Sequence, residues 1–512
     1  MGNQLSLNQR RQDAVRVLLK AGVQLSPDAL NYLDLQPDPV HLASKTLAEL
    51  DRRKTKPLII TRNMLEEIVP IPSPKYPKII DFNDPISPVN DKSIDVTPFV
   101  EVMSSLYEES SAQGKLENFL AYFRNRYEKM VKLFKARKDA LDAISINEVA
   151  KVGEGKEARV IGLVTSKRET DRGVTILELE DPTGVISVLI STINDKLYNK
   201  ASRVLLDQVV CVEGAARDQK TISAKDLNWA DVPYDRRPNK AKEPVYAVLM
   251  SDIHYGSTKF LRDRFEEFMD WLKGEGPTDQ ASRIARNIRY LIIAGDLVDG
   301  IGVYPKQEEE LEVKDIYEQY RQLAEYIKRI PQSIEIIAIP GNHDATRLAL
   351  PQPPVPDSYM KAITGSCTNF RMLGNPAFVK IHGVEILVYH GRIIDNILST
   401  LPEISSRTVG QALQELVRCR HLAPTWDPNN PIIPLDEDLL VLERIPDIFH
   451  TGHIHVNAVS QYRGVLTVNS GTFQSQTSYQ RAMGVKPTPG IVEIVNLMTL
   501  KASQIQFGVG AE

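Results

Sequence analysis

Ile334-Glu335-Ile336-Ile337-Ala338-Ile339-Pro340 runs directly into Gly341-Asn342-His343-Asp344. A short, nearly continuous apolar run suits a strand buried on both faces. The four residues after it include side chains that bind cations or move protons. Four other runs in the second half of the chain end the same way. Val245–Met250 leads into Ser251-Asp252-Ile253-His254, and Tyr290–Ala294 into Gly295-Asp296-Leu297-Val298-Asp299. Glu385–Tyr389 leads into His390-Gly391, and Asp447–His450 into Thr451-Gly452-His453-Ile454-His455. In open sheets, ligands collect at the carboxyl edge of such strands. Five of the nine histidines fall at these edges, and five separate strand ends would all have to carry ligand chemistry by accident. The donors are oxygen and nitrogen with no sulfur, which suits Mn, Mg, Fe, Co or Zn rather than a thiolate site. Two divalent ions about 3.5–4 Å apart can clamp a phosphodiester, so the pattern predicts a two-metal phosphoesterase centre. His450, alone on its apolar run, reads as a core residue; His382 reads as part of a hairpin turn, and His421 has no partner motif.

Composition sets bounds. A chain of 512 residues holds two to four domains, and 25% charged with 42% hydrophobic residues is ordinary for a globular protein. The net charge of −4 gives no global field to attract nucleic acid, so any basic surface must be local. Cys211, Cys367 and Cys419 are widely spaced, which indicates neither a disulfide framework nor a structural zinc site and fits a reducing cytoplasm. No apolar stretch is long enough to span a membrane, so no membrane partner is expected.

The pattern changes along the chain. Residues 1–70 read as a small helical docking module, with helical spacing over Gln9–Ala21, a helix start at Ser26-Pro27-Asp28 and another helix over Ile60–Ile68. Residues 71–105 read as an extended linker, introduced by the frequent prolines Pro70, Pro72, Pro74, Pro77, Pro85 and Pro88. Residues 106–148 form a basic helical segment. Its apolar side carries Phe119, Phe123, Tyr127, Met130 and Phe134, and its charged side Arg124, Arg126, Lys129, Lys132 and Lys135. A solvated face is the preferred reading of that charged side over a ridge that tracks phosphates. Residues 149–235 switch to five short β runs, Arg159–Thr165, Val174–Glu180, Val185–Ile190, Gln208–Gly214 and Thr221–Leu227, the pattern of an OB barrel. From Arg159 to Gly214 there is one tyrosine and no Phe or Trp, which favours protein docking over base stacking. Residues 243–500 hold the phosphoesterase motifs, Leu435–Leu442 reads as a solvated acidic face, and 501–512 as a tail.

Taken in order, Asp-x-His (252–254), Gly-Asp-x-x-Asp (295–299), Gly-Asn-His-Asp (341–344), the strand-end His390 and Gly-His-x-His (452–455) resemble the calcineurin-like metallophosphoesterases. The preceding OB-like region, Gly341–Arg347 leading into Pro351-Gln352-Pro353, and Pro487-Thr488-Pro489-Gly490 look like the small subunits of archaeal family D DNA polymerases. The resemblance implies a multidomain α/β and β fold: an OB barrel followed by an αββα phosphoesterase sandwich, with a small helical N-terminal module. It also implies a metal-dependent 3′–5′ proofreading exonuclease acting on the primer 3′ end or single-stranded DNA. The implied partner is a large catalytic polymerase subunit, the metals two manganese ions, and the place the nucleoid of the cytoplasm.

Carried over residue by residue, the resemblance assigns Asp252, His254, Asp296 and His455 to one metal, and Asp296, Asn342, His390 and His453 to the other, with Asp296 bridging. Gly295 and Gly452 would let the backbone turn at the strand ends. His343 is the expected general acid, donating to the leaving 3′ oxygen, with Asp299 as its orienting partner and Asp344 a weaker candidate. Arg347 and Arg392 could contact phosphate. In phosphoprotein phosphatases an Arg follows Gly-Asp-x-x-Asp and Gly-Gly follows the strand-end His. Here Gly300 and Gly391-Arg392 stand there, which counts against a protein phosphatase. Double-strand-break repair nucleases share the ligand set but begin with the phosphoesterase domain. The alternatives are an assembly and processivity subunit with a vestigial metal site, a repair-type nuclease, and a phosphodiesterase of small nucleotides.

Overall fold

The computed structural model describes residues 7–26, 29–30, 39–52, 59–61, 64–65, 97–106, 112–171, 173–275, 279–401 and 403–508. The chain divides into two units, Met1–Asp81 and Phe82–Glu512. In the first, helices Leu7–Lys20 and Pro39–Arg52 pack together around Ala14, Leu18, Leu42, Ala43 and Leu50. Strands β1 (Gln24–Leu25) and β2 (Ile59–Ile60) form a short parallel pair. Ile60, read as the start of a helix, lies in β2 instead, held because Ser26 N–H donates to its carbonyl. Most of the linker expected over residues 71–105 lies outside the described residues. Its last stretch is a strand, β3 (Val100–Ser105), paired antiparallel at a sheet edge. Val100 and Val102 turn inward there, which a proline-rich context concealed.

Each of the five β runs expected between 159 and 227 is a strand: β4 (Glu157–Glu169), β5 (Val174–Asp181), β6 (Gly184–Ser191), β7 (Val209–Asp218) and β8 (Thr221–Asn228). They close into a barrel in the order β4-β5-β6-β8-β7. Alternation puts Val160, Val164, Leu177, Leu179, Val210 and Val212 inside. Ile161, Val209 and Cys211 face outward and meet Met130 and Phe134 of helix Leu116–Lys135.

That helix corrects two readings. Its buried residues are Tyr122, Arg126, Met130 and Phe134, four positions spaced by four on one stripe. Arg126 therefore belongs to the packed face, not to a solvated ridge. Its Nε donates to Asp438 Oδ2 at 2.8 Å, and Nη1 donates to the Pro424 carbonyl at 2.9 Å. His421 Nε2 lies 2.9 Å from the same Asp438 oxygen. Asp438, read as part of a solvated acidic face, is fully buried. A buried carboxylate needs partners of this kind.

The remaining strands form two six-stranded sheets. The first is built from β9 (Tyr246–Met250), β10 (Ile288–Ala294), β11 (Glu335–Ile339), β12 (Phe370–Met372), β18 (Ile491–Asn496) and β19 (Lys501–Gln506), in the order β12-β11-β10-β9-β18-β19. The second uses β3, β13 (Ala377–Ile381), β14 (Val384–Val388), β15 (Ile448–Thr451), β16 (Ala458–Tyr462) and β17 (Val465–Asn469), in the order β16-β17-β15-β14-β13-β3. Their facing sides share one core, including Leu249, Ile292, Ile337, Val379, Ile386 and Val468. The outer side of the first sheet is covered by helices Arg262–Leu272, Ile316–Ile327 and Asp357–Thr364, and that of the second by Ile394–Thr400 and Val409–Cys419. Lys501–Gln506, expected in a tail, pairs antiparallel with β18 and buries Ile505. His382 lies in the β13–β14 turn, with Nε2 2.8 Å from the Tyr290 hydroxyl. The three cysteines are free and buried. No helix among the described residues is long and apolar enough to cross a membrane.

Candidate metal centre

Strands β9, β10 and β11 run parallel in one sheet, and β14 and β15 run parallel in the other. Their carboxyl ends meet, and each delivers its motif to the same place. The turns beyond them bend sharply. Asp252, His254, Asp296, His453 and His455 all have positive φ, between 51° and 72°. Such a conformation costs a non-glycine residue on the order of 1–3 kcal/mol, and it persists only where neighbours over-determine it. Here they do: Asp252 N–H donates to the Gly295 carbonyl, His254 N–H to the Asp296 carbonyl and His453 N–H to Asp252 Oδ2. Gly295 supplies a turn at φ 92°. Gly452 is needed for close approach instead, because a Cβ there would lie 2.6 Å from Asp252 Oδ2.

Three groups of donors result, each with ligand atoms within 4.8 Å of one another: Asp252, His254 and His455; Asp296, His390 and His453; His254, Asp299 and His343. Asp296 Oδ2 lies 3.6 Å from His254 Nε2 and 3.3 Å from His390 Nε2, so one oxygen faces both sides of the centre. Asn342 Oδ1 is 3.0 Å from His390 Nε2. The imidazole protons are placed by their outer partners. His254 Nδ1–H donates to Asp299 Oδ1 at 3.0 Å, and His390 Nδ1–H to the Ala294 carbonyl at 2.8 Å. Both Nε2 lone pairs then point inward, the tautomer a metal ligand needs. His254 Nε2 and His455 Nε2 stand 3.0 Å apart. The Gln480 amide donates to His455 Nδ1, so a neutral His455 keeps its proton on Nε2 and donates it to His254 Nε2, the place a cation would take.

Electrostatics make the same demand. Burial alone would strip the proton from His254, but hydrogen bonds to Asp252 and Asp299 and the charge of Asp296 outweigh it and push it up to about 10. For His390, burial is likewise outweighed, chiefly by Asp296, and it rises to about 9. Burial opposes the charge on Asp252 and Asp296. The imidazoles around them, His455 foremost for Asp252 and His390 for Asp296, nevertheless hold both carboxyls below the usual range. A cluster of buried carboxylates that holds protons on its histidines is one whose charge a divalent cation can satisfy, and the donor set fits such an ion.

The expected residues fall as follows. Asp252, His254, Asp296, Asn342, His390, His453 and His455 come together. His343 stands beside them, its ring T-shaped to His254 at 4.5 Å between centroids. Asp299 does contact His343, but through its backbone: His343 Nδ1 donates to the Asp299 carbonyl at 2.7 Å. The Asp299 carboxylate is committed to His254 and to the amides of Gln307 and Gln474, so the contact of Asp299 with His343 is made by its carbonyl and not by its side chain. Asp344 accepts from Tyr320 and from the Gly341 and Leu297 amides, away from His343. Arg347 donates to the Pro351 carbonyl at 2.7 Å. Arg392 lines a pocket beside Asn342 and His390. His450 is buried, with Nε2 2.5 Å from Ser470 Oγ.

Sequence reasoning missed Asp395, whose Oδ2 lies 2.8 Å from His453 Nε2. It also missed Gln480, whose amide lies 2.7 Å from His455 Nδ1. Asp395 follows His390 by five residues on the next helix, and no local motif marks it.

The family model of the B subunits of DNA polymerases alpha and epsilon matches residues 247–458. Over 482 residues the chain is 34% identical to the DNA polymerase II small subunit of Methanothermobacter thermautotrophicus, covering 94% of this chain and 97% of that protein. It is 38% identical over 391 residues to the DNA polymerase II small subunit of Pyrococcus furiosus, covering 76% of this chain but only 63% of that longer relative. To the subunit of the same name from Methanocaldococcus jannaschii it is 37% identical over 405 residues, 78% and 68% of the two chains. A solved archaeal phosphodiesterase aligns with 51% of this chain and 99% of its own at 12% identity, but its TM-score of 0.25 carries no weight.

Proposed function

The chain belongs to the archaeal DNA polymerase II small-subunit family, and from that premise we propose that it is a two-metal 3′–5′ exonuclease that proofreads for a large catalytic polymerase subunit. The barrel is read as an OB fold and the paired sheets as a calcineurin-like phosphoesterase, with the barrel and the N-terminal unit serving assembly. One observation carries the reading: seven donors from five strand ends converge, and the Nε2 atoms of two imidazoles face each other at 3.0 Å. Asp252, His254 and His455 would hold one divalent ion, and Asn342, His390 and His453 the other, with Asp296 facing both. Manganese is the metal assigned; the oxygen and nitrogen donors also admit Fe, Co, Zn or Mg. Bound there, the pair would supply Lewis-acid stabilisation to a phosphodiester.

The chain's own residues do the rest. His343 donates a proton from Nε2 to the 3′ oxygen that leaves, while Nδ1 stays on the Asp299 carbonyl. Burial holds His343 below the usual imidazole range, so it is neutral at rest. The negative charge of an arriving phosphate favours its protonated form and readies it as an acid. Asp299 acts as a positioning residue for both rings, by its carbonyl for His343 and by its carboxylate for His254.

The test is release of mononucleotides from 3′-labelled single-stranded DNA by the purified chain with manganese, beside a chelator control and His343→Ala. Release that both controls abolish is expected. If no release occurs although metal is bound, the chain is an assembly subunit whose site has become structural.

A further inference from the structure

Tyr304 and Tyr479 stack on each other beside the metal centre, with ring centroids 5.9 Å apart and planes inclined by 28°. The Tyr304 ring lies 6.3 Å from that of His343. Each tyrosine is carried by a segment that also reaches the centre. Gln307, three residues after Tyr304, donates to the Asp299 carbonyl and carboxylate. Gln480, next to Tyr479, donates to His455 Nδ1. The Glu310 carboxylate joins the two segments, accepting from the Tyr304 hydroxyl at 2.9 Å and from the Ser478 amide at 3.3 Å. The stack is thereby held in register with the residues of the centre. Tyr479 is nevertheless 54% exposed. Met483, 64% exposed, lies one turn further on the same side, its N–H donating to the Tyr479 carbonyl. Apolar side chains exposed singly are ordinary. An open aromatic surface, held in place one ring away from the expected general acid, is not.

Resting on the exonuclease reading, we propose that the Tyr304–Tyr479 stack is the platform for the base of the penultimate nucleotide. The 3′ oxygen that takes the proton of His343 belongs to that nucleotide. Its sugar therefore lies against His343, and its base is the one that reaches the adjoining rings. The exposed charged residues nearest the two tyrosines in the chain are Lys306, Glu308, Glu309 and Arg481. Their signs are mixed, which makes no track for phosphates and leaves the uncharged face of a base as the group that suits this surface. Stacking tolerates sequence, because every base has a π-face, and a proofreading exonuclease must release any nucleotide. A base inside a duplex is already covered by its neighbours, so the platform accepts an unpaired strand.

The test uses the full chain and single-stranded oligonucleotides that are intact or lack one base, at the penultimate or at the terminal position. Release is measured with manganese and binding in chelator, where no hydrolysis occurs. Loss of the penultimate base should raise KM and weaken binding by about 10-fold in the wild type. Tyr479→Ala should weaken binding of the intact strand by a similar factor and no longer sense the penultimate base. Loss of the terminal base should cost the variant as much as the wild type. Tyr479→Phe, which keeps the ring, should restore the sensitivity. A merely structural role would weaken all the oligonucleotides equally and would raise the manganese requirement through Gln480 and His455. Either of those results, or a wild type indifferent to the penultimate base, would overturn the platform. If no oligonucleotide is hydrolysed, the exonuclease reading fails instead, and the dependence of binding on the penultimate base in chelator still decides the platform.

Discussion

His254 Nε2 and His455 Nε2 face each other at 3.0 Å across the centre, each ring anchored from behind, by Asp299 and by the Gln480 amide. Without a metal a proton bridges the two rings, because the Gln480 amide donates to His455 Nδ1 and leaves the His455 proton on Nε2; a divalent cation in its place would also answer the charge of Asp252 and Asp296. Divalent metal should therefore stabilise the second unit. At a concentration 100 times the dissociation constant, a ligand that binds only the folded state adds about 2.7 kcal/mol. Calorimetry with manganese should show this rise in Tm, chelator should reverse it, and His455→Ala should lose it. A Tm indifferent to manganese in the wild type would remove the metal from the account.

Asp299 and His343 should separate by readout. Asp299→Asn leaves the carbonyl that orients His343 in place and weakens only the acceptor behind His254. Loss of an outer partner of this kind typically costs about 10–100-fold in metal affinity, so nucleotide release should recover as manganese is raised. His343→Ala should lower release by about 10²–10⁴-fold at any metal concentration. Equal, metal-independent losses in both would instead restore Asp299 as the direct catalytic partner of His343.

The strand ends were legible in the sequence because buried parallel strands leave near-continuous apolar runs, and the residue after each run stands at a sheet edge. Asp395 and Gln480 were not legible. They reach His453 and His455 from a helix or its cap, and their polarity is ordinary for such positions. Arg126 was misplaced because charge was read before helix phase; its spacing from Tyr122, Met130 and Phe134 puts it on the packed stripe. β3 and β19 were missed because a short edge strand is fixed by its neighbour, here β13 and β18, more than by its own residues.

Arg126 supports a buried pair that joins the barrel-side helix to the loop carrying Asp438. Arg126→Met should cost about 3–5 kcal/mol, since it removes the cation from a buried carboxylate and leaves it only the neutral partners His421 and the Leu440 amide. Arg124→Ala, on the exposed side two residues away, should stay within about 0.5 kcal/mol. Denaturant titration of both variants checks the contrast.

His421 beside that pair should make stability fall in mild acid. Burial, helped by the charge of Arg126, lowers it from its ordinary 6.5 to about 4 against the pull of Asp438. The unfolded chain then takes up a proton that the folded one refuses. Stability is full above pH 6.5 and falls as the pH drops towards 4, by on the order of 3 kcal/mol. His421→Gln should flatten that slope. An unchanged slope in the variant would assign the acid sensitivity elsewhere.

Glu493 should act in the opposite direction. It lies on β18, fully buried, and both carboxyl oxygens are without a hydrogen-bond partner among the described residues. Burial pushes its carboxyl well above the ordinary 4.5, so it is held protonated where an exposed glutamate is charged. The folded state binds this proton more tightly than the unfolded chain. Its contribution is therefore most favourable below pH 4.5 and is lost as the pH rises towards the folded value. Glu493→Met keeps the volume and removes the unpaired polar atoms. It should raise stability at pH 8 by about 1–3 kcal/mol, with a smaller gain at pH 5. Denaturant midpoints of the two proteins at both pH values give the answer. A variant less stable than wild type at pH 8 would mean that the carboxyl has a partner that makes it worth burying.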